Sequence, residues 1–313
     1  MIDATQGATH GRVAMPATKM RRELGERPLL ALLLVPSLLL IFGLTIYPLC
    51  DSLWISLHRY SLLRPDRSFI GLGNYQRLGD LPLFWQSVRV TLYFAAASLL
   101  IQVPLGIGIA LLLNERFHGR GGLRAAVLLP WAIPTIGNAV MWQWIFDANH
   151  GALNGLLKQL GFINSYIIWL GDRGRAINLV LLADTWKVLP FYVVMFLAAL
   201  QGIPQELYEA AEIDGAGAWK KFLYVTLPGL KAVLLIVLVL RTVQVFKVFD
   251  IIYLLTRGGP AGGTTVISFF TYQQTFQSLN FGIGAAVGVV IGMSTLLAAL
   301  LHFKLLHSDE AAT

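Results

Sequence analysis

Residues 206–228 read ELYEAAEIDGAGAWKKFLYVTLP and lie between two long apolar runs. Residues 206–214 include three glutamates and one aspartate, which favours a short helix because carboxylates early in a helix stabilise its N-terminal dipole. Gly215 and Gly217 interrupt that helix, and the apolar spacing that follows predicts a second short helix ending near Pro228. The stretch therefore predicts a charged, folded segment that lies outside the apolar surroundings of the two flanking runs.

The rest of the chain has the composition of a membrane protein. It has 313 residues, of which 56% are hydrophobic and 13% are charged, and its mean hydropathy is +0.65. Soluble domains usually carry about 25% charged residues. The predicted fold is an all-α integral membrane protein with six transmembrane helices, because six runs are long enough to cross a hydrocarbon core of about 30 Å: 29–49, 88–113, 124–146, 177–200, 229–255 and 283–306.

Six spans place both termini on one side of the membrane. Lys and Arg are modestly more frequent on the side that holds the N-terminus and the 114–123 loop, which predicts that this side is cytoplasmic. The net charge of +7 is interpreted as topology and contact with anionic membrane lipid, since no basic, aromatic-interleaved patch indicates nucleic acid. The expected divisions are a cytoplasmic N-terminal tail, a transmembrane domain with one charged loop, and a cytoplasmic C-terminal tail: 1–27, 28–306 with loop 201–228, and 307–313.

Several chemistries lack sequence support. One cysteine and six histidines show no ligand spacing, so no metal site is expected, and the chain has no G-x-x-x-x-G-K-[ST] phosphate loop. DANH (147–150) is interpreted as a loop turn. TRGGPAGG (256–263) is interpreted as a flexible connection, and ISFFTYQQTF (267–276) predicts a short aromatic helix.

The residues alone leave alternatives open. The charged loop suits either an amphipathic linker on the bilayer or a docking surface for a soluble partner. A secondary transporter would show internal repeats, and none is visible. A membrane enzyme would need a carboxylate pair or histidine cluster at a membrane face, for which DANH is the nearest candidate.

Charged residues also occur inside the predicted spans, where each costs about 2.5–3.5 kcal/mol unless it faces protein or a wet path. Asp184 and Lys187 lie three residues apart, where they can meet on one helix face. A polar stripe at three-residue spacing is predicted along span five: Arg241, Gln244, Lys247 and Asp250. These residues either pair between spans or line a pathway. Pro130 and Pro134 are expected to interrupt span three.

One motif is specific. The segment Glu209-Ala210-Ala211, followed by Gly215 and, after nine intervening residues, by Val225-Thr-Leu-Pro, resembles the EAA loop of binding-protein-dependent ABC importer permeases, with valine where isoleucine is usual. The resemblance extends over about 28–306. Further segments are similar to the carbohydrate branch typified by maltose, trehalose and glycerol-phosphate permeases: LPWAIPT (129–135), TWK (185–187), EAAEIDGAGAWKKF (209–222) and FKVFDIIYLLTRGGP (246–260).

The resemblance implies a type I ABC importer permease fold that supplies half of a pore in a bacterial-type cytoplasmic (inner) membrane. A homologous second permease, two ATPase subunits and an extracytoplasmic substrate-binding protein are the implied partners. The chain would be a non-catalytic subunit with no cofactor of its own, and ATP would be bound by the ATPases. The implied substrate is a sugar, such as the disaccharides trehalose or maltose or an oligosaccharide, with a glycerol-phosphate-type anion as the alternative. A neutral sugar is preferred because each acid has a lysine within one turn.

The resemblance also nominates site residues. The set expected to couple to the ATPase comprises Glu209, Ala210, Ala211, Asp214 and Gly215. The set expected to line the substrate pathway comprises Trp131, Thr135, Asp184, Lys187, Val188, Arg241, Gln244 and Val245. Trp131 would stack on a pyranose face, and the amide and charged groups would bind hydroxyls.

Overall fold

The computed structural model describes residues 26–64 and 66–307, and these form an all-helical fold. The predicted tails 1–27 and 307–313 lie outside the described residues apart from residues 26, 27 and 307. The helices are α1 Glu26–Ile41, α2 Tyr47–Ser56, α3 Gly73–Asp80, α4 Pro82–Asn114, α5 Arg120–Ala132, α6 Thr135–Ile145, α7 Ala152–Gln159, α8 Arg173–Gln201, α9 Gln205–Ile213, α10 Ala218–Lys221, α11 Leu227–Gly229, α12 Lys231–Phe246, α13 Asp250–Leu255, α14 Ile267–Tyr272 and α15 Phe281–His307. Single π-helical turns occupy Phe42–Ile46, Phe222–Thr226 and Gln273–Gln277, and a 3₁₀ turn occupies Trp169–Gly171.

The chain divides into two units, 1–50 and 51–313. In the first unit the described residues form α1, the π-helical turn after it and the start of α2. The second unit contains the remaining helices, and the structural and functional features below all belong to it.

Membrane spans follow the predicted pattern. In the described part of the chain, four helices have the length and hydropathy of a span: Leu32–Ser56, Pro82–Asn114, Arg173–Gln201 and Phe281–Lys304. Two bent pairs also qualify when each is taken as one span, namely α5 with α6 and Ala218–Gly229 with α12. The total is then six, as the hydropathy predicts.

The bend in the third span occurs where the prolines predict it. Helices α5 and α6 meet at 94°, and Ile133 between them has extended backbone angles of φ −73° and ψ 130°. Proline disfavours helical angles in the residue before it, so Pro134 forces Ile133 out of the helix. The predicted interruption of the hydrogen-bond ladder is confirmed.

The prediction of one continuous fifth span over 229–255 is wrong. Helix α12 ends at Phe246 and α13 begins at Asp250. The hydroxyl of Ser268 donates a hydrogen bond to the carbonyl of Val248, which satisfies a backbone group that the break exposes. Lys247 and Asp250 therefore do not continue the helical face of Arg241, and no ion pair joins them in the described ranges.

The glycine-rich segment 256–263 is part of a packed loop, which corrects the interpretation of it as a flexible connection. Thr264 and Thr265 are buried. The Thr264 hydroxyl donates to the Gly259 carbonyl at 2.7 Å, and the Thr265 hydroxyl donates to the Gly258 carbonyl at 3.0 Å. These two buried hydroxyl groups satisfy backbone carbonyl groups of the turn. The aromatic helix predicted after the loop is confirmed as α14 and the π-helical turn that follows it.

The core of the second unit runs along α4 and α8. Phe94, Val180 and Ala183 are fully buried at one end of this contact, and Tyr192 and Phe196 are fully buried at the other. Gly106 allows the close approach, because a Cβ there would lie 3.2 Å from the ring of Phe196. Helix α12 packs on the same pair through Val237.

A buried ion pair joins α8 to α12 within this core. The Arg241 guanidinium donates to the Asp184 carboxylate and, at 2.9 Å, to the hydroxyl of Ser98 on α4. Gln102 of α4 donates to Asp184 Oδ2 at 3.3 Å and to Thr185 Oγ1 at 3.0 Å. Arg241 is 2% exposed and Asp184 is 8% exposed.

The expected pairing of Asp184 with Lys187 on one helix face is therefore wrong. The carboxylate binds an arginine 57 residues away, which reaches it across a helix–helix contact. The physical reason is that Arg241 brings a forked donor into a buried position and can bind Asp184 and Ser98 together, whereas Lys187 lies on a more accessible part of α8.

We predict that this pair stabilises the bundle as a unit. Arg241→Gln or Asp184→Asn alone leaves one buried charge without its partner, which costs about 3–5 kcal/mol, so each variant should unfold at lower temperature in detergent. The double variant Arg241→Gln/Asp184→Asn removes both charges and should recover much of the loss. If the losses of stability measured for the two single variants add in the double variant, the pairing is contradicted.

Candidate functional site

The first helix of the EAA loop (201–228) ends in a left-handed glycine turn. Gly215 has φ +74°, its N–H donates to the Glu212 carbonyl at 3.0 Å, and the N–H of Ala216 donates to the Ala211 carbonyl at 2.9 Å. This pair of bonds is a Schellman motif, which closes a helix C-terminus with the residue type that adopts positive φ without strain. The predicted break at Gly215 is confirmed.

The second part of the loop runs from Ala218 to Gly229 and meets α12 at 66°. Two side-chain contacts tie it back to α9. The Tyr208 hydroxyl lies 3.0 Å from Thr226 Oγ1, and Lys221 Nζ lies 3.7 Å from the Glu212 carboxylate. Because the two halves are bonded to each other as well as to the turn, the loop is a rigid hairpin of helices.

The predicted coupling residues lie on the accessible side of this hairpin. Glu209, Ala210, Asp214 and Gly215 are exposed, and Ala211 is partly exposed. The structure thus brings the predicted set together on one module and leaves it open to a partner.

Apolar side chains that the sequence argument did not nominate accompany them. Ile213 is 87% exposed and Trp219 is 70% exposed, on either side of the Gly215 turn, and Leu207 and Tyr224 are also exposed. Exposed apolar groups beside charges are typical of a docking surface. The available sequence signal was the presence of an isoleucine and a tryptophan beside the glycines of a charged loop.

The predicted pathway residues fall into two groups. Trp131 and Gln244 are exposed, and Thr135, Lys187 and Val188 are partly exposed. Asp184, Arg241 and Val245 are buried. The charged pair therefore lies behind the accessible surface, where it is satisfied by neighbouring spans.

A chain of contacts links the accessible residues across three helices. Trp131 of α5 is 53% exposed and stacks on Phe191 of α8, with ring centroids 5.7 Å apart and planes 20° apart. The neighbouring Tyr192 donates its hydroxyl to Gln244 Oε1 of α12 at 3.1 Å. The Trp131 ring and the Gln244 amide are thus each held by a side chain of α8.

Sequence reasoning missed the residues that hold this arrangement. Phe191 and Tyr192 support Trp131 and Gln244, and Gln102 supports Asp184. A signal existed for two of the three: Phe191 lies one helical turn after Lys187, and Gln102 is an amide in the middle of an apolar run.

The remaining pathway residues are positioned by local structure. Thr135 is the first residue of α6, directly after the 94° bend. Val188 packs against the cluster that contains Tyr192 and Val193. Lys187 makes no ion pair with the described residues.

DANH forms a turn, as the sequence predicts. Asp147 Oδ1 accepts hydrogen bonds from the backbone N–H groups of His150 at 2.7 Å and Asn149 at 2.9 Å. These bonds stabilise the carboxylate and hold the pKa of Asp147 below its usual value. Among the described residues, no group of three or more His, Cys, Asp or Glu side chains is arranged to hold a metal ion.

Comparison with known proteins identifies related transport permeases. The family described as "Binding-protein-dependent transport system inner membrane component" matches residues 102–307. The trehalose/maltose transport system permease protein MalF of Thermococcus litoralis is 42% identical over 273 residues, which cover 87% of this chain and 92% of that protein. The trehalose transport system permease protein SugA of Mycobacterium tuberculosis is 34% identical over 283 residues, which cover 90% of each chain.

A solved structure shares the fold. A chain in the crystal structure of a bacterial ABC transporter involved in the import of the acidic polysaccharide alginate superposes with a TM-score of 0.79 at 24% identity, covering 90% of this chain and 95% of that one. The overall fold described above is thus a known architecture. The chain belongs to the family of binding-protein-dependent transport system inner membrane components and is a multi-pass permease of a sugar ABC importer.

Proposed function

We propose that this permease forms half of the pore for a neutral disaccharide of the trehalose or maltose type. A homologous second permease completes the pore, two ATPase subunits bind ATP beneath it, and an extracytoplasmic binding protein delivers the sugar. Both termini and the EAA loop lie on the cytoplasmic side. The chain itself carries out no hydrolysis and needs no cofactor.

The observation that carries the ATPase assignment is the exposed surface of the rigid EAA hairpin. Glu209 and Asp214 supply charge, Ile213 and Trp219 supply apolar area, and the Gly215 turn fixes them relative to one another. A partner that moves this hairpin also moves α8 and α12, since the loop joins the end of one to the start of the other. The hairpin is therefore suited to transmit an ATPase movement into the spans.

The substrate assignment rests on the Trp131–Gln244 arrangement. An accessible indole ring and a fixed amide suit a pyranose, which presents apolar C–H faces and hydroxyl edges. Arg241 is neutralised by Asp184 inside the bundle, so it does not offer a free positive charge. The relatives named for trehalose and for trehalose/maltose transport support the same class of substrate.

One observation favours a second candidate. Lys187 is partly exposed on α8 without an ion-pair partner among the described residues. A cation in that position suits an anionic substrate such as a glycerol phosphate.

We predict that Glu209→Lys uncouples transport. The substitution puts a reversed charge on the docking surface, which should lower binding-protein-stimulated ATPase activity and sugar uptake by about tenfold or more in proteoliposomes holding the full complex. Membrane insertion should be unchanged, because Glu209 is exposed and its side chain makes no ion pair or hydrogen bond with the described residues.

Two comparisons sharpen that test. Glu209→Gln removes the charge without reversing it and should have a smaller effect. Liposomes holding the wild-type chain alone should show no ATP-driven uptake. Robust uptake without an ATPase would contradict the importer assignment, and normal coupling in Glu209→Lys would contradict the docking role.

We predict that Gly215→Val also impairs coupling. A side chain there meets no neighbour within 4 Å, so the penalty is conformational and amounts to roughly 1–2 kcal/mol for a left-handed residue. Gly215→Asn is the matched control, because asparagine tolerates positive φ. Stimulated ATPase activity should fall in the valine variant and stay near wild type in the asparagine variant, and equal activities would show that the turn geometry is dispensable.

We predict that Trp131 and Gln244 contribute to sugar uptake in different ways. Gln244→Ala removes hydrogen bonds worth about 0.5–1.5 kcal/mol each, or roughly three- to tenfold in uptake per bond. Tyr192→Phe should produce a smaller loss by releasing the Gln244 amide. Trp131→Ala should weaken uptake more than Trp131→Phe, which keeps an aromatic face.

We predict that Lys187→Met distinguishes a neutral from an anionic substrate. Radiolabelled uptake of trehalose and maltose should change little in this variant if the substrate is neutral. If the wild-type importer takes up glycerol phosphate and the Lys187→Met variant loses that uptake, the anionic alternative is established. Unchanged uptake in every Trp131 and Gln244 variant would show that these residues only support the fold.

A further inference from the structure

A cleft lies between the α4–α5 loop and the EAA loop. Its volume is about 1200 Å³. One wall consists of residues from the end of α4 through the start of α5, and the other consists of residues from the EAA loop. Its polar lining comprises Asn114, Glu115, Arg116, Arg120, Arg124, Gln201, Gln205, Tyr208, Glu212, Lys221 and Thr226.

The cleft carries excess positive charge. Four cations and two carboxylates line it, which gives a net formal charge of four minus two, or +2. Glu212 is bound to Lys221 at 3.7 Å, so these two charges offset each other. Three arginines then face only Glu115, and Arg116 makes no ion pair or hydrogen bond with the described residues.

Two of the arginines are held in place by neutral groups. Arg120 Nη1 donates to the carbonyls of Asn114 and Glu115 at 3.4 Å each, and Arg124 Nη2 donates to the Leu113 carbonyl at 2.9 Å. These bonds close the C-terminus of α4 and orient the side chains without neutralising them. The buried Nε of Arg124 has no hydrogen-bond partner among the described residues.

Exposed apolar residues flank the same arginines. Leu112 lies at the end of α4, Phe117 lies in the loop beside Arg116, and Leu123 precedes Arg124 on α5. This combination places a cationic cleft beside surface that suits hydrocarbon. It matches an anionic phospholipid, whose phosphate needs forked cationic donors and whose acyl chains need an apolar surface nearby.

We propose that the cleft binds the phosphate of an anionic phospholipid headgroup and that the bound lipid bridges the α4–α5 loop to the EAA loop. The ligand contacts both walls, so its binding favours one position of the EAA loop relative to α4. Lipid charge would therefore adjust the coupling of ATP hydrolysis to transport. This last consequence rests on the proposed function, whereas the binding site itself does not.

The test measures lipid retention by the purified full chain. Nanodiscs containing a mixture of phosphatidylglycerol and phosphatidylcholine are solubilised, and native mass spectrometry counts the lipids that stay bound. Wild type should retain phosphatidylglycerol in preference to phosphatidylcholine. Arg116→Gln should lower that retention about fivefold and Arg116→Glu should lower it further, because each basic residue near an anionic surface has an effect of this size.

Control variants distinguish the effect of a lost charge on lipid retention from an effect of misfolding. Arg116 is exposed and its side chain makes no ion pair or hydrogen bond within the part of the chain that the structure describes, so its variants should fold normally. Arg124→Lys keeps the charge but loses the forked geometry and should retain less phosphatidylglycerol than wild type. Lys304→Gln removes an exposed cation that does not line the cleft and should retain the wild-type amount.

The outcomes distinguish the sources of the anion. Excess inorganic phosphate should not displace phosphatidylglycerol, and displacement to the level of Arg116→Glu would show a site for free phosphate. Unchanged retention in every Arg116 and Arg124 variant would overturn the proposal. Loss of ATPase binding in these variants with lipid retention intact would assign the cleft to an acidic segment of the ATPase and also overturn it.

A second measurement addresses regulation. In the assembled importer, phosphatidylglycerol should raise sugar-stimulated ATPase activity over phosphatidylcholine alone, and Arg116→Glu should abolish that difference. If the complex shows no transport, the proposed function fails, and lipid retention by the chain still decides the binding site. Equal dependence on phosphatidylglycerol in wild type and Arg116→Glu would overturn the regulatory consequence.

Discussion

The arrangement of the spans depends on one buried ion pair. Asp184 and Arg241 lie on α8 and α12, the two helices that enter and leave the EAA loop, and each would be costly in the bundle without the other. Ser98 and Gln102 supply further hydrogen bonds from α4, so the pair holds three helices in one register. A displacement of the loop cannot move α8 or α12 independently without exposing or separating these charges.

The same pair determines what remains accessible for a substrate. Because Arg241 and Asp184 neutralise each other, the accessible surface beside them is left with the ring of Trp131 and the amide of Gln244. Both are held from α8, Trp131 through Phe191 and Gln244 through Tyr192. Charge in this region thus serves rigidity, and the proposed function assigns sugar recognition to the Trp131 ring and the Gln244 amide. Lys187 is the charged residue that would contact an anionic substrate, and in that case charge would also contribute to recognition.

Local physics made much of the fold predictable. Hydropathy identified the spans, Pro134 identified the 94° bend, and Gly215 identified the turn in the EAA loop, because each signal acts within a few residues of itself. Contacts between distant residues were not predictable in this way. The partner of Asp184 is 57 residues away, and the end of α12 at Phe246 is stabilised by Ser268 from a different helix. Side-chain exposure at the site, which separates Trp131 from Arg241, likewise arises only from packing.

Rigidity and exposure are combined in the EAA loop for a physical reason. A surface helix pair with Ile213 and Trp219 open to solvent would gain by collapsing onto its own apolar side chains or onto the bilayer. The Schellman turn at Gly215 and the Tyr208–Thr226 and Glu212–Lys221 contacts oppose this collapse by fixing the angle between the halves. The arginine cleft lies on the inner side of the same hairpin, next to the end of α4. A ligand bound there would act on the position of the hairpin relative to α4, while the exposed residues Ile213 and Trp219 stay free for a protein partner.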